Sequence, residues 1–285
     1  MPNFFSRLIV LLCLALSFSA QAADNGLLWK VESPNGKVSH LLGTIHTDDE
    51  RVTEFSPKII KAIDQSDLFM METLPPSDAS FFMMKQGNVA QLLTQEELEQ
   101  VFHLCMQHSM LPDYSLHMKP WLLAVVFDLP KSMSALSMDE KLMMTAIEKS
   151  KKIKGLEENA AHFSMLDSIS IDDQMVMLRA VLKRTTEDKQ RDFESLIATY
   201  KTGDLQKIGD LDETITGGML PKELWGKMKT KLIDERNQGM ADGLIAAASE
   251  SKVFAAIGAA HLGGENGLLA RLRGAGFKVS AVKIN

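Results

Sequence analysis

Near its start the chain has an apolar, leucine-rich run, Leu8 to Phe18, and then alternates short apolar stretches with long amphipathic ones. Leu27 to Glu32 and Lys37 to Leu42 flank Ser33-Pro34-Asn35-Gly36, which predicts a β-hairpin with an Asn-Gly turn. The second strand runs straight into Gly43-Thr44-Ile45-His46. Ser56 to Gln65 reads as a short helix with Pro57 in its first turn. Asp67 to Glu72 is apolar up to its closing charge, the pattern of a strand buried on both faces, and Pro75-Pro76 stops it. From Asp78 to Lys131 the spacing is helical: Thr94 to Glu97 has the form of a capping box, and Pro120 to Phe127 is apolar all round, which predicts a buried helix. Ser137 to Lys149 follows as a helix, and Lys152 to Glu157 as a short strand that again ends in a carboxylate. Ala160 to Thr199 and Leu220 to Ser249 are long amphipathic helical stretches, and Thr216 to Pro221 between them has the composition of a hinge loop. Lys252 to Ile257 is an apolar strand leading into Gly258-Ala259-Ala260-His261. Gly267 to Gly274 is helical, and Gly276 to Ile284 is a terminal strand.

Alternation of this kind predicts an α/β fold: a central mixed, largely parallel sheet with flanking helices, and a helical block over residues 160–250 serving as cap or lid. The apolar run Leu8 to Phe18, with Arg7 before it and Ser19-Ala20-Gln21-Ala22 after it, reads as a signal peptide over residues 1–22. Cleavage between Ala22 and Ala23 leaves one domain over 23–285, exported to the periplasm or beyond. The run is shorter than the roughly 20 residues a spanning helix needs, so no transmembrane segment is expected after signal removal. Without Arg7 the chain carries 30 basic against 37 acidic residues, a balance that argues against nucleic acid or an anionic membrane as partner. Only Cys105 survives cleavage, so no internal disulfide is expected, and the many methionines read as core filler.

The candidate chemistry gathers at strand ends. His46, Glu72, Glu157 and His261 each sit at or just past the carboxyl end of an expected strand, where open α/β sheets place their ligand crevice. Imidazole and carboxylate together suit a divalent first-row metal with room for an activated water. Gly43 and Gly258 are expected to let the backbone leave each strand sharply, at φ values that other residues avoid. Glu235-Arg236-Asn237 lies beside the apolar stripe Met228, Leu232, Met240 and Leu244. Arg236 there could clamp a carboxylate, either of a substrate or of Glu157. His40, His103, His108, His117 and His162 lack comparable partners, and Cys105 reads as an inert thiol.

Together these residues resemble the TraB/GumN family, to which the Tiki-type Wnt-inactivating metalloproteases are related. The resemblance rests on Leu28-Trp29-Lys30-Val31, Gly43 to His46, Glu72, Lys119-Pro120-Trp121, Gly155-Leu156-Glu157, Asp234 to Asn237, Gly258 to His261 and the ending from Gly263 to Val279. It implies a peptidase-like, metal-dependent hydrolase acting on a peptide or small-molecule substrate. His46, His261 and Glu72 would hold Mn, Co or Zn, and Glu72 would be a third ligand or the general base. Arg236 would stabilise an oxyanion or grip a substrate carboxylate, Glu157 would assist, and Asn237 would meet the substrate. Erythromycin-esterase-like hydrolases and a haem-binding lipoprotein group share the architecture. A non-catalytic reading therefore stands beside the first: haem or another ligand in the same cleft, with Phe81-Phe82-Met83-Met84 as an apolar slot, or an envelope interaction protein. Glu158-Asn159 departs from the threonine and acidic residue expected after Glu157, which puts the role of Glu157 in question.

Overall fold

The computed structural model describes residues 24–76, 78–131, 136–158 and 164–284. The expected leader and its cleavage point at Ala22 and Ala23 lie outside these residues, as do Asn159 and His162. Six strands are present: β1 Leu28–Glu32, β2 Val38–Thr44, β3 Leu68–Met71, β4 Lys152–Gly155, β5 Val253–Gly258 and β6 Lys278–Val282. They form one mixed sheet in the order β4-β3-β5-β2-β1-β6. β4, β3, β5 and β2 run parallel, while β1 pairs antiparallel with both β2 and β6.

The expected hairpin is present, with Trp29 opposite Leu41 and Gly36 at φ 84°, the left-handed position that its turn needs. β5 takes the central place, and Val253 to Ile257 are wholly enclosed, as a strand covered on both faces must be. Phe254 stacks on Phe69 of β3 with ring centroids 5.8 Å apart. The sheet's outer strands carry lysines (Lys152 and Lys154 on β4, Lys278 on β6), which discourages pairing with other chains.

The helical stretch after β3 resolves into short 3-10 turns at Ala79–Phe82 and Val89–Leu92 and helices at Gln95–Gln107, Pro112–Ser115 and Pro120–Asp128. Thr94 closes its capping box with Glu97 in both directions. In Pro120–Asp128 the residues Pro120, Trp121, Leu123, Ala124 and Phe127 are buried, Leu122, Val126 and Asp128 are half-buried, and Val125 is 49% exposed. These elements and the helix Ile171–Leu182 build a second core around Val101, Cys105, Phe127 and Leu178. The expected cap over 160–250 therefore divides. Thr186–Thr202, Leu205–Met219 and Glu235–Glu250 send Ile197, Tyr200, Leu205, Met240 and Leu244 into the sheet core, whereas Ile171–Leu182 joins the second core.

Two expectations about glycine are overturned. Thr216 to Met219 is not a hinge loop but the end of the helix Leu205–Met219, and only Leu220-Pro221 interrupts before Lys222–Lys229. A Cβ on Gly217 would come within 2.8 Å of the Trp225 indole nitrogen, so the glycine makes room for a packed ring. Gly43 and Gly258 do not adopt a left-handed backbone: neither is among the positive-φ glycines, and Gly258 sits at φ −49°. They are small because their neighbours are close. A Cβ on Gly43 would meet Ala259 and Leu262 at 3.2 Å, and one on Gly258 would lie 3.0 Å from Glu72 Oε1. Among the described residues no helix is long and apolar enough to cross a membrane.

Candidate active site

Because β2, β3, β4 and β5 are parallel, their carboxyl ends share one edge of the sheet. His46 follows β2 by two residues, Glu72 follows β3 directly, Glu157 follows β4 by two, and His261 ends the 3-10 turn Ala259–His261 that leaves β5. The extensions of β3 and β4 stay zipped, with Leu156 N–H donating to Met71 C=O and Glu157 N–H to Glu72 C=O, both at 2.8 Å. That pairing sets the two carboxylates side by side.

Arg236 lies between them. Its Nε and Nη2 donate to Glu157 at 3.0 and 2.7 Å, Nη2 also bonds Glu72 Oε2, and Nη1 lies 3.4 Å from His261 Nε2. Of the roles open to Arg236, the structure shows the clamp on Glu157, extended to Glu72. A π-helical turn at Thr230–Asp234 runs directly into the helix that carries Arg236, and its Leu232 carbonyl accepts from Nη1 at 3.2 Å. Such local widening of a helix is frequent where side chains are aimed at a site.

Each histidine is tied back through Nδ1. Asn266 C=O accepts from Asn237 Nδ2 at 3.1 Å, which turns Asn237 Oδ1 toward His261 Nδ1 at 2.7 Å. His261 therefore carries its proton on Nδ1 and presents the Nε2 lone pair, 3.9 Å from Glu72 Oε1. Asn237, expected to meet the substrate, is only 2% exposed, and its amide bonds His261 and Asn266. His46 Nδ1 lies 3.0 Å from Asp139 Oδ2, and Thr44 Oγ1 donates to Asp139 Oδ1 at 2.8 Å. Asp139 stands in the first turn of the helix Met138–Glu148, behind the Ser137–Glu140 capping box. Sequence reasoning missed it, because an acidic residue in a helix's first turn is common for dipole reasons alone.

The electrostatics differ sharply between the histidines. Burial pushes His261 down to about 4; Glu72 favours its protonation and Arg236 opposes it. The bond to Asp139, reinforced by its charge, holds His46 above its ordinary value, although water at this 73% exposed ring screens part of the effect. Burial works against charge on Glu72, yet His261, Arg236, His46 and the Gly258 N–H at 2.7 Å outweigh it and keep the carboxyl well below its usual range. Arg236 remains protonated, with two carboxylates offsetting its burial.

His46, Glu72, Asp139, Glu140 and Arg236 line a cleft of about 350 Å³, walled on one side by Met71 to Pro76. In the Phe81–Met84 segment expected as an apolar slot, Met83 forms a backbone bridge with Met118, and Met84 packs on the second core. The donor chemistry suits a divalent metal, since two imidazoles with Nδ1 held and one ionised carboxylate form a common ligand set with its supporting bonds. Beside that stands the Arg236 guanidinium on Glu72, and among the described residues no three His, Cys, Asp or Glu side chains converge as a ligand group.

A parallel-sheet edge with two Gly-x-x-His turns and two carboxylates, met by an arginine from a neighbouring helix, defines an α/β protein with a polar cleft at the carboxyl ends of its strands. The chain belongs to the TraB/PrgY/gumN family, whose profile matches residues 27–281. Over 217 residues it is 25% identical to an uncharacterized protein of Treponema pallidum (strain Nichols), a match covering 67% of this chain and 63% of that one. The chain thus spans less than two thirds of that relative's length. No solved structure matches.

Proposed function

We propose that the protein is an exported hydrolase that cleaves an amide or ester bond, with peptides as its substrate class. The observation that carries this reading is the paired anchoring of the histidines. Each ring has Nδ1 fixed by a side-chain oxygen from another element, and His261 Nε2 lies 3.9 Å from Glu72 Oε1. His46, His261 and Glu72 would hold a divalent ion, which when bound supplies a Lewis acid and lowers the pKa of its water. Glu72, already ionised well below the carboxylate range, suits a ligand better than a proton acceptor. Asp139 and Asn237 hold the two rings in one tautomer, and Arg236 keeps Glu72 and Glu157 at fixed separation.

One observation favours a second reading. With Arg236 bound to Glu72, His46 and Asp139 alone form a base and its orienting carboxylate, and at alkaline pH, above the raised pKa of the ring, His46 Nε2 takes a proton from water without a metal. Purified protein loaded with manganese, cobalt or zinc and screened against a peptide library tests both. Metal-dependent cleavage lost in the His46→Ala, His261→Ala double variant supports the first reading. Cleavage that survives a chelator but is lost in Asp139→Asn supports the second. No cleavage, with wild type and double variant binding metal equally poorly, removes the hydrolase.

A further inference from the structure

The cleft mechanism leaves unused a larger cavity on the other side of Met138, of about 540 Å³. That is the size of a small-molecule site. Leu42, Phe55, Ile59 and Val282 give it apolar walls, and Lys201 and Lys283 also line it. Both lysines are exposed, and among the described residues neither is held in an ion pair. Arg51, another lining residue, has its charge taken up by Asp49 and Glu194 at 2.6 Å each, and Glu54 is the carboxylate of the lining. Two exposed cations bordering an apolar cavity, neither within salt-bridge distance of a carboxylate among the described residues although Lys201 shares the field of Asp49, complement a molecule with a hydrocarbon body and one negative end.

We propose that this cavity binds an apolar-tailed monoanion, a long-chain carboxylate, with its tail along Leu42, Phe55 and Ile59 and its head at Lys201 and Lys283. The site also touches the catalytic loop. Met138 and Tyr200 line the cavity, Tyr200 Oη donates to Gly43 C=O at 2.7 Å, and Met138 N–H donates to Thr47 C=O at 2.7 Å. A bound tail therefore packs against the two residues that brace Gly43 to Thr47, the segment carrying His46.

The test is direct binding of cis-parinaric acid, a fluorescent polyunsaturated fatty acid, to the purified protein. Saturable enhancement with one molecule per chain is expected. The double charge reversal Lys201→Glu, Lys283→Glu should weaken it by about tenfold or more, the scale of one charged hydrogen bond lost. Parinaryl alcohol should bind wild type as weakly as the acid binds that variant. Glu54→Trp, an exposed position that narrows the cavity, should block both probes. Thermal transitions of these surface variants, matched to wild type, establish that they fold. Absence of saturable binding, or binding indifferent to both the lysines and the head charge, overturns the proposal. So does a signal lost in the His46→Ala, His261→Ala variant and kept in Glu54→Trp, because the probe would then sit in the cleft. The readout needs no turnover, so failure of the hydrolase reading leaves this result interpretable.

Discussion

Replacing Arg236 by alanine should be among the most damaging single changes to this fold. Arg236 is 10% exposed, and the two carboxylates it joins, Glu72 and Glu157, are 14% and 15% exposed. Removing one partner of a buried ion pair costs about 3–5 kcal/mol, because the charge left behind has neither water nor counter-charge. Here two carboxylates share the single guanidinium, so the upper end of that range applies. Lysine at this position restores the charge but not the fork, and should recover only part of the loss.

The pH dependence carries a sign that distinguishes this account from simple loss of packing. In wild type the Glu72 pKa lies below its unfolded value, so its stabilisation is present above the unfolded pKa and disappears as the pH falls. In Arg236→Ala burial meets less opposition at Glu72, whose carboxyl rises from its wild-type position. The stabilisation lost with that rise is full near neutral pH and fades as the carboxyl takes up its proton. The gap between wild type and variant should accordingly shrink between pH 7 and about pH 4.5. Urea unfolding followed by circular dichroism, in chelator so that no metal contributes, measures it at each pH. A gap below about 1 kcal/mol at neutral pH, or one constant across the range, would refute the charge argument.

Asp139→Asn should lower the titration midpoint of the His46 ring, seen by NMR in metal-free protein, because the hydrogen bond and charge that raise it are weakened together; an unmoved midpoint removes Asp139 as its partner. Gly217→Ala should destabilise by about 1–3 kcal/mol through overpacking against Trp225, whereas Gly218→Ala, with nothing near its added carbon, should be neutral or gain up to about 1 kcal/mol in helix propensity. Equal denaturation midpoints for the two would sink the packing explanation. Gly258→Ala has an allowed backbone but places a carbon against Glu72, so its effect should appear in cleft function, read as metal affinity or turnover, more than in global stability.

Much of the site could be read from the residues alone because strand ends announce themselves. Apolar runs that close on Glu72, or pass through Gly43 and Gly258 to a histidine, were enough to place three side chains on one sheet edge, and the short strand ending before Glu157 placed the fourth. What they do there was less legible. For Arg236 the sequence offered a substrate carboxylate or Glu157, and only the zipping of residues 156–157 to 71–72 brings Glu72 as well as Glu157 to it. Asp139 lies 93 residues from His46, in a helix start like any other. Thr216-Gly217-Gly218 was misread because local propensity counts two glycines as a break, while the decisive neighbour, Trp225, belongs to the next helix. The φ argument for Gly43 and Gly258 failed for a related reason: the need for a missing Cβ came from across the fold, not from the backbone.

The place of β5 in the sheet bears on the order in which the protein can be assembled. Chain synthesis makes β2 and β3 early, yet they never touch as neighbours; the strand that joins them begins at Val253. His40 pairs with Phe254 and Leu68 with Val253, so the middle of the sheet is closed by contacts some two hundred residues apart along the chain. Topologies dominated by such distant pairings fold slowly, because loop closure must precede the gain from pairing. Until β5 emerges, a growing chain holds a hairpin on one side, a β3 edge on the other, and no cleft. The second helical core, drawn mainly from residues 89–127 and 175–182, is complete long before that moment. All residues of that helical core thus precede β5 along the chain, while the cleft cannot form without it.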